Sequence, residues 1–461
     1  MDRAIRIAFL SEHASPVALL GSEDAGGQNV YVDEVSRNLA RLGYRVDVFT
    51  RRDDADAPEV IEWAPGVRIV NVTAGPARFL LKDKLWPLMP HFRDEILRFM
   101  TRDGVRYDLI HGNFWMSGWV AAELRQRLGV PAVQIFHAMG KTKQRHQGSA
   151  DTSPDDRIAV EEGILRGVDR LIAQCPSERA ELVDEYGAEP GKVVVIPSAV
   201  NTETFRPVPR DEARRFIGLE TDGPVIVYVG RMLPRKDPRN IVRAVALLVE
   251  RARQLGDDEA GLPLLLLVGG ETPEPNPTAT PEIGELQRLA AELGIGERVR
   301  FTGKRQPDVL RYYYSAGDIA VTTPWYEPFG LTPLEAMACG RPVVGSAVGG
   351  ITFTIADGIS GFLVPPREPA ALAGRLAQLL ANPALRAHMG QAARARVERE
   401  FTWETVAART AALYEALLSR PPTNDRRPPL VSMAVSRPRS AVGERPPEPV
   451  AGGAGGRHGS R

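Results

Sequence analysis

The chain reads as an α/β protein with two doubly wound domains facing a central cleft, and three observations predict this. Short apolar runs alternate with helical patterns along most of the length, the signature of parallel strands wrapped by helices. The series breaks once, between Ile196 and Pro224, where Pro197, Pro207, Pro209 and a turn over residues 201–205 interrupt the periodicity. In each half a polar loop with glycine follows the first strand, the edge at which open α/β sheets bind ligands.

In the first half, strands are predicted at residues 5–10, 45–49, 67–70, 108–111, 132–137, 170–173 and 193–196. Between the first two, a helix over residues 30–42 carries Val32, Val35, Leu39 and Leu42 on one face and is closed by Gly43. The second series is predicted at residues 225–229, 264–268, 299–301, 319–322, 342–345 and 361–364, which puts the hinge near residue 205 and the two domains at 1–205 and 206–400. Beyond Leu418 the composition turns to Pro, Arg, Gly and Ser, so residues 419–461 are expected to form a disordered tail.

A length of 461 residues suits two or three domains, and 58 basic against 58 acidic residues give no field that would mark the protein for nucleic acid or an anionic membrane. The first residues run straight into an apolar strand without a signal-peptide core, and no apolar run approaches the ~18 residues of a spanning helix. A cytoplasmic protein acting on small molecules is expected. The two cysteines, Cys175 and Cys339, lie in separate halves without metal-ligand spacing and read as buried small hydrophobes, with no disulfide and no zinc.

The most informative segment is W-Y-E-P-F-G-L-T-P-L-E-A-M-A-C-G, residues 325–340. It places Glu327 in a loop and Glu335 about one turn into a helix. The turn Pro328-Phe329-Gly330 between them aims free N–H groups and a helix N-terminus at the crevice. A phosphorylated ligand fits such a terminus, and two carboxylates can each accept from vicinal hydroxyls, one pair on a ribose and one on a second sugar. The combination points to a nucleotide-sugar site.

Two loops extend that reading. Gly26 and Gly27 stand directly before the first helix, where they let backbone approach a ligand, and the long polar stretch 12–23 ahead of them suggests a mobile substrate loop. In the second half, Arg231 and Lys236 lie on the loop leaving strand 225–229, where two cations would stabilise a diphosphate leaving group more in the transition state than in the ground state. His137 is expected at the end of strand 132–137, on the same rim. The basic run Lys141, Lys143, Arg145 and His146 after it reads as a solvated loop or as a site for an anionic acceptor, and Arg305 is placed to lie against a base.

With these segments in place the chain resembles the retaining GT-B glycosyltransferases of family 4, in particular the branch of sucrose-phosphate synthases and inositol-phosphate N-acetylglucosaminyltransferases. The resemblance runs over residues 5–418, and its most specific words are D-A-G-G-Q-N-V-Y-V at 24–32, the loop at 229–236, and the E-x7-E of Glu327 and Glu335. It implies a UDP- or GDP-sugar donor, UDP favoured, bound mainly by the C-terminal domain, with the N-terminal domain on the acceptor side. Arg231 and Lys236 would bind the diphosphate, Glu335 the ribose, and Glu327 and His137 the transferred sugar. The amides of Phe329, Gly330 and Leu331 would meet sugar and phosphates, Gly26 and Gly27 would approach from the other domain, and Arg305 would lie at the base.

The resemblance also implies retention of anomeric configuration by same-face attack, with the departing phosphate taking the acceptor proton. No cofactor is required on this reading, and Mg2+ is compatible but not implied. A last helix at 401–418 would cross back to the N-terminal domain. The acceptor expected is a sugar or a sugar or cyclitol phosphate, with a neutral sugar, lipid or natural product as the open alternatives, and on its side Gln28, Asn29, Lys82, Lys141, Arg145 and Arg157 are the candidates. The family's phosphate-holding lysine and arginine are matched by Lys82 and Arg157, whereas Phe114 and Ala138 stand where hydroxyl-bearing residues are the rule. The alternatives to a hexosyltransferase are a GT-B nucleotide-sugar epimerase and a non-catalytic nucleotide-sugar sensor.

Overall fold

A computed structural model describes residues 4–17, 26–148, 151–256 and 258–419. Residues 18–25, Asp24 of the glycine-rich motif among them, and the tail from residue 420 lie outside the described residues.

Two sheets form. The first contains β1 (Arg6–Leu10), β2 (Arg45–Arg51), β3 (Val60–Ala64), β4 (Val67–Val72), β5 (Leu109–Asn113), β6 (Ala132–Ile135), β7 (Arg170–Ala173) and β8 (Val193–Val195), in the order β3-β4-β2-β1-β5-β6-β7-β8. The second contains β9 (Val225–Val229), β10 (Leu264–Val268), β11 (Val299–Phe301), β12 (Ile319–Thr322), β13 (Val343–Ser346) and β14 (Gly361–Val364), in the order β11-β10-β9-β12-β13-β14. All pairings are parallel except β3 with β4.

The edge strand β3 is absent from the sequence-based expectation. Its residues are only half-buried, so they lack the continuous apolar run of the central strands, and Gly66 at φ +81° turns it back onto β4. The central strands behave as a parallel sheet covered on both faces demands: β9 is V-I-V-Y-V and buried throughout.

Apolar clusters fill both faces of each sheet. One face of the first sheet is closed by helix Gly27–Arg41, through Val32, Val35 and Leu39, and by helix Trp403–Leu418, through Trp403, Val406 and Tyr414. Thr402 caps that last helix by accepting from the Thr405 N–H, and the helix lies on the first sheet although it follows the second in sequence. Cys175 and Cys339 are both buried and free. Among the described residues no helix is long and apolar enough to cross a membrane.

Candidate active site

Each sheet reverses its winding once, between β1 and β5 in the first and between β9 and β12 in the second. Loops leaving the strands at such a point diverge and open a crevice. In the second sheet the loop after β9 carries Arg231 and Lys236, and the loop after β12 carries Glu327. The Trp325 N–H donates to the Arg235 carbonyl at 2.9 Å and ties the two loops together.

Lys236 donates to Glu327 Oε2 in a partly buried ion pair. Burial lowers the Lys236 ammonium from its ordinary value and Arg235 adds to this, while Glu327 opposes it. Desolvation and Arg235 likewise lower Arg231.

The helix Leu331–Ala338 starts immediately after Gly330, whose φ of +88° is open to glycine and strained for other residues. Glu335 sits one turn inside and accepts a hydrogen bond from Tyr314 Oη at 2.7 Å. Burial pushes its carboxyl up to about 7, against the stabilising bond from Tyr314. Phe329 buries its ring in the core of the second domain, so its backbone rather than its ring is available to a ligand.

A glycine pair supports this loop from below. A Cβ at Gly349 would fall 2.1 Å from the Glu327 carbonyl oxygen, and one at Gly350 would fall 2.4 Å from Phe329 Cα. The Gly350 N–H donates to that same carbonyl at 3.0 Å. Neither Gly349-Gly350 nor Tyr314 is among the site residues expected from sequence, although the adjacent glycines after a strand were a readable signal.

The opposite rim brings Gly27 to the same place. Its helix begins at Gly27, three residues before the expected start at Val30, and a Cβ there would lie 3.1 Å from Leu331 Cδ1. Two helix N-termini therefore face each other across the cleft. Asn29 is buried and spends its side chain on the loop, accepting from the Gly26 N–H at 3.0 Å and donating to the Ser15 carbonyl at 2.9 Å. Gln28 donates to Ser11 Oγ at 3.3 Å.

β6 ends at Ile135, so His137 lies two residues beyond the strand rather than at its end, in a left-handed conformation with φ +61°. Its Nε2 is 3.1 Å from Asn113 Oδ1, its Nδ1 is 3.4 Å from Gln174 Nε2, and the Tyr31 ring packs edge-on at 4.9 Å. Burial, reinforced by His111 and His13, depresses the imidazole to about 3, so it is neutral at working pH.

The acceptor candidates are differently placed. Arg157 is 3% exposed and donates to Glu161 Oε1 at 2.8 Å, the Ala138 carbonyl at 2.6 Å and Ser153 Oγ at 3.2 Å, with the Phe114 ring 5.2 Å away. The expected basic loop is a helix, Gly140–Gln147. On it Lys141 pairs with Glu162 at 2.9 Å, Lys143 with Asp151 at 2.9 Å, and Arg145 with Glu185. His146 stacks on Tyr326 of the opposite loop at 4.3 Å. Lys82 opens the short turn Lys82–Lys84 and is half-buried. Arg305 is held by Tyr313 Oη and the carbonyls of Pro273 and Lys304. Among the described residues no cluster of three His, Cys, Asp or Glu side chains could hold a metal ion.

Two open sheets face to face, with cations and carboxylates at the switch point of one and a glycine-started helix at that of the other, define a GT-B glycosyltransferase. The chain belongs to glycosyltransferase family 4: the profile described as Glycosyltransferase Family 4 matches residues 25–204, and that of Glycosyl transferases group 1 matches residues 209–396. It is a hexosyltransferase. It is 39% identical over 412 residues to D-inositol 3-phosphate glycosyltransferase 2 of Catenulispora acidiphila, covering 89% of this chain and 94% of that one. The D-inositol 3-phosphate glycosyltransferase of Thermobispora bispora is also 39% identical, over 91% of this chain and 96% of its own. Among solved structures, sucrose-phosphate synthase from Thermosynechococcus elongatus superposes with a TM-score of 0.78 at 36% identity, over 90% of this chain and 99% of that one. Anabaena HepE, solved with UDP and glucose, shares the fold at a TM-score of 0.67 and 21% identity, over 89% of this chain and all, 100%, of its own.

Proposed function

We propose that the protein transfers a hexosyl group from a nucleotide-sugar, a UDP-sugar foremost, to a hydroxyl of a sugar phosphate or cyclitol phosphate, with retention at the anomeric carbon. The observation that carries this is the Lys236–Glu327 pair, set beside the amino end of helix Leu331–Ala338. The donor's diphosphate would enter against Lys236, Arg231 and that helix terminus, Glu335 would accept from the ribose hydroxyls, and Glu327 and His137 would contact the transferred sugar. As the bond from the anomeric carbon to the β-phosphate oxygen breaks, negative charge grows on that oxygen, where the two cations stabilise it. The acceptor hydroxyl attacks from the same face and gives its proton to the departing phosphate. No carboxylate pair at glycosidase spacing is needed for this course. The cations and helix terminus supply the charge neutralisation, so chelation by EDTA is expected to leave turnover unchanged.

The phosphorylated acceptor is supported by the relatives named D-inositol 3-phosphate glycosyltransferase, and sucrose-phosphate synthase is named for a phosphorylated product. We assign its phosphate to the Lys82 turn, where the resembling enzymes carry a phosphate-holding lysine, and Arg157 lies beneath Phe114 in an ion pair with Glu161. The test is acceptor use with and without the phosphate. Lys82→Ala should raise the acceptor KM strongly and leave donor hydrolysis nearly unchanged. A dephosphorylated acceptor used equally well, with Lys82→Ala neutral, would overturn the phosphate assignment and leave hexosyl transfer standing.

A further inference from the structure

His137 lies where the ends of β1, β5 and β6 converge, and the hydrogen bonds around it fix where its proton sits. Asn113, the last residue of β5, is fully buried. Its side-chain nitrogen donates to the Leu10 carbonyl at 3.1 Å, which settles the orientation of the amide and turns its oxygen to His137 Nε2 at 3.1 Å. An amide oxygen only accepts, so Nε2 carries the hydrogen. On the other side of the ring the Gln174 side-chain nitrogen donates to Nδ1 across a longer 3.4 Å. The better-anchored partner sets the tautomer, and that partner is Asn113.

Among the described residues, no charged group contributes in favour of the imidazolium over the neutral ring. The titratable neighbours are His111 on β5, His13 after β1 and Tyr31 on helix Gly27–Arg41. Glu178, on the short helix Pro176–Ala180 after β7, accepts from the Gln174 backbone N–H at 2.8 Å rather than from the ring. His13 is itself paired with Glu12 at 2.8 Å.

We propose that Asn113 is a positioning residue for glycosyl transfer: it holds His137 as the neutral Nε2–H tautomer, so that Nδ1 is kept as an acceptor for a hydroxyl of the bound sugar, replacing the long contact to Gln174. This rests on the assignment of His137 as a sugar contact. His137 on this reading is an oriented acceptor and not a general base, since its one free lone pair receives a hydrogen bond from the substrate.

The test pairs NMR with kinetics. In the full chain labelled with 15N-histidine, and with the His137 signals assigned by their loss in His137→Gln, the ring should show a neutral Nε2–H pattern unchanged from pH 6 to pH 8. Asn113→Asp keeps the shape but sets a carboxylate against Nε2–H. His137 should then titrate within that range, and kcat at saturating donor should fall at least tenfold as pH drops through the new titration, an acid limb absent from the unmodified protein. An Nδ1–H or protonated ring in the unmodified protein would overturn the proposal, as would Asn113→Asp with an unaltered pH profile. If Asn113→Asp fails to fold, the tautomer in the unmodified protein decides alone. A thermal shift produced by nucleotide-sugars, which does not depend on the tautomer, separates failure here from failure of the transferase reading.

Discussion

The two rims that face each other across the cleft follow opposite electrostatic plans. The rim of the second sheet keeps charge at the ligand position: Lys236 on Glu327, Arg231 beside them, and Glu335 held near its protonation midpoint at about 7. The rim of the first sheet neutralises its charge internally, with Arg157 on Glu161, Lys141 on Glu162, Lys143 on Asp151, Arg145 on Glu185, and a neutral His137 at the centre. On the proposed reading, the second rim receives the donor's diphosphate, and the first orients hydroxyls around a neutral His137 while the Lys82 turn takes the acceptor's phosphate. Four basic residues of the first rim, Arg157, Lys141, Lys143 and Arg145, are thus engaged by neighbouring carboxylates.

The largest effect that would sharpen this contrast is structural and falls on the first rim. Glu161 is fully buried and receives bonds from Arg157, the Gly140 N–H and Tyr186 Oη. Arg157→Met leaves that carboxylate without its cation and should cost ~3–5 kcal/mol of stability, read by denaturant unfolding. If stability were unchanged and only acceptor KM rose, Arg157 would be a ligand group and the contrast would fail.

The same pair shows what sequence could and could not convey. Arg157 matches a phosphate-binding arginine by alignment, but its spacing of four residues from Glu161 on a helix was an equally visible sign of an internal ion pair. The donor side was legible because its residues fall in short contiguous words: the loop with Arg231 and Lys236, and the Glu327–Glu335 segment. The surroundings of His137 were not, because Asn113 ends β5 and Gln174 follows β7, and they meet it only after the sheet has assembled. The glycines at 349 and 350 are intermediate, visible as a pair yet meaningful only once the Glu327 carbonyl is known to lie against them.

An intermediate effect concerns pH. Burial raises Glu335 from its ordinary 4.5 to about 7, so over that interval the folded protein holds a proton that the unfolded chain has released, and stability contributed by this group falls as pH rises. Glu335→Gln removes the titration. Its melting temperature relative to the unmodified protein should therefore rise between pH 5 and pH 8, while nucleotide affinity drops through loss of the ribose acceptor. Glu178 on the first rim, pushed up to about 8 by burial, has the same sign, but Glu178→Gln should leave nucleotide affinity unchanged. Equal loss of affinity in both variants would erase the distinction between the rims.

The smallest effect is expected at Arg145, which is exposed and paired with Glu185 at the surface. Arg145→Ala should change stability by less than ~1 kcal/mol and alter acceptor KM little. A large rise in acceptor KM would restore the basic helix Gly140–Gln147 to the acceptor site.

The most direct measurement is the single-turnover rate of hexosyl transfer from a nucleotide-sugar, compared between the unmodified protein and Lys236→Ala, with donor binding followed separately by thermal shift. Loss of one cation at the leaving group should lower that rate by roughly ten- to a thousandfold in a protein that remains folded and still binds donor. A Lys236→Ala rate equal to that of the unmodified protein would contradict the assignment of Lys236 and Glu327 to the transfer step.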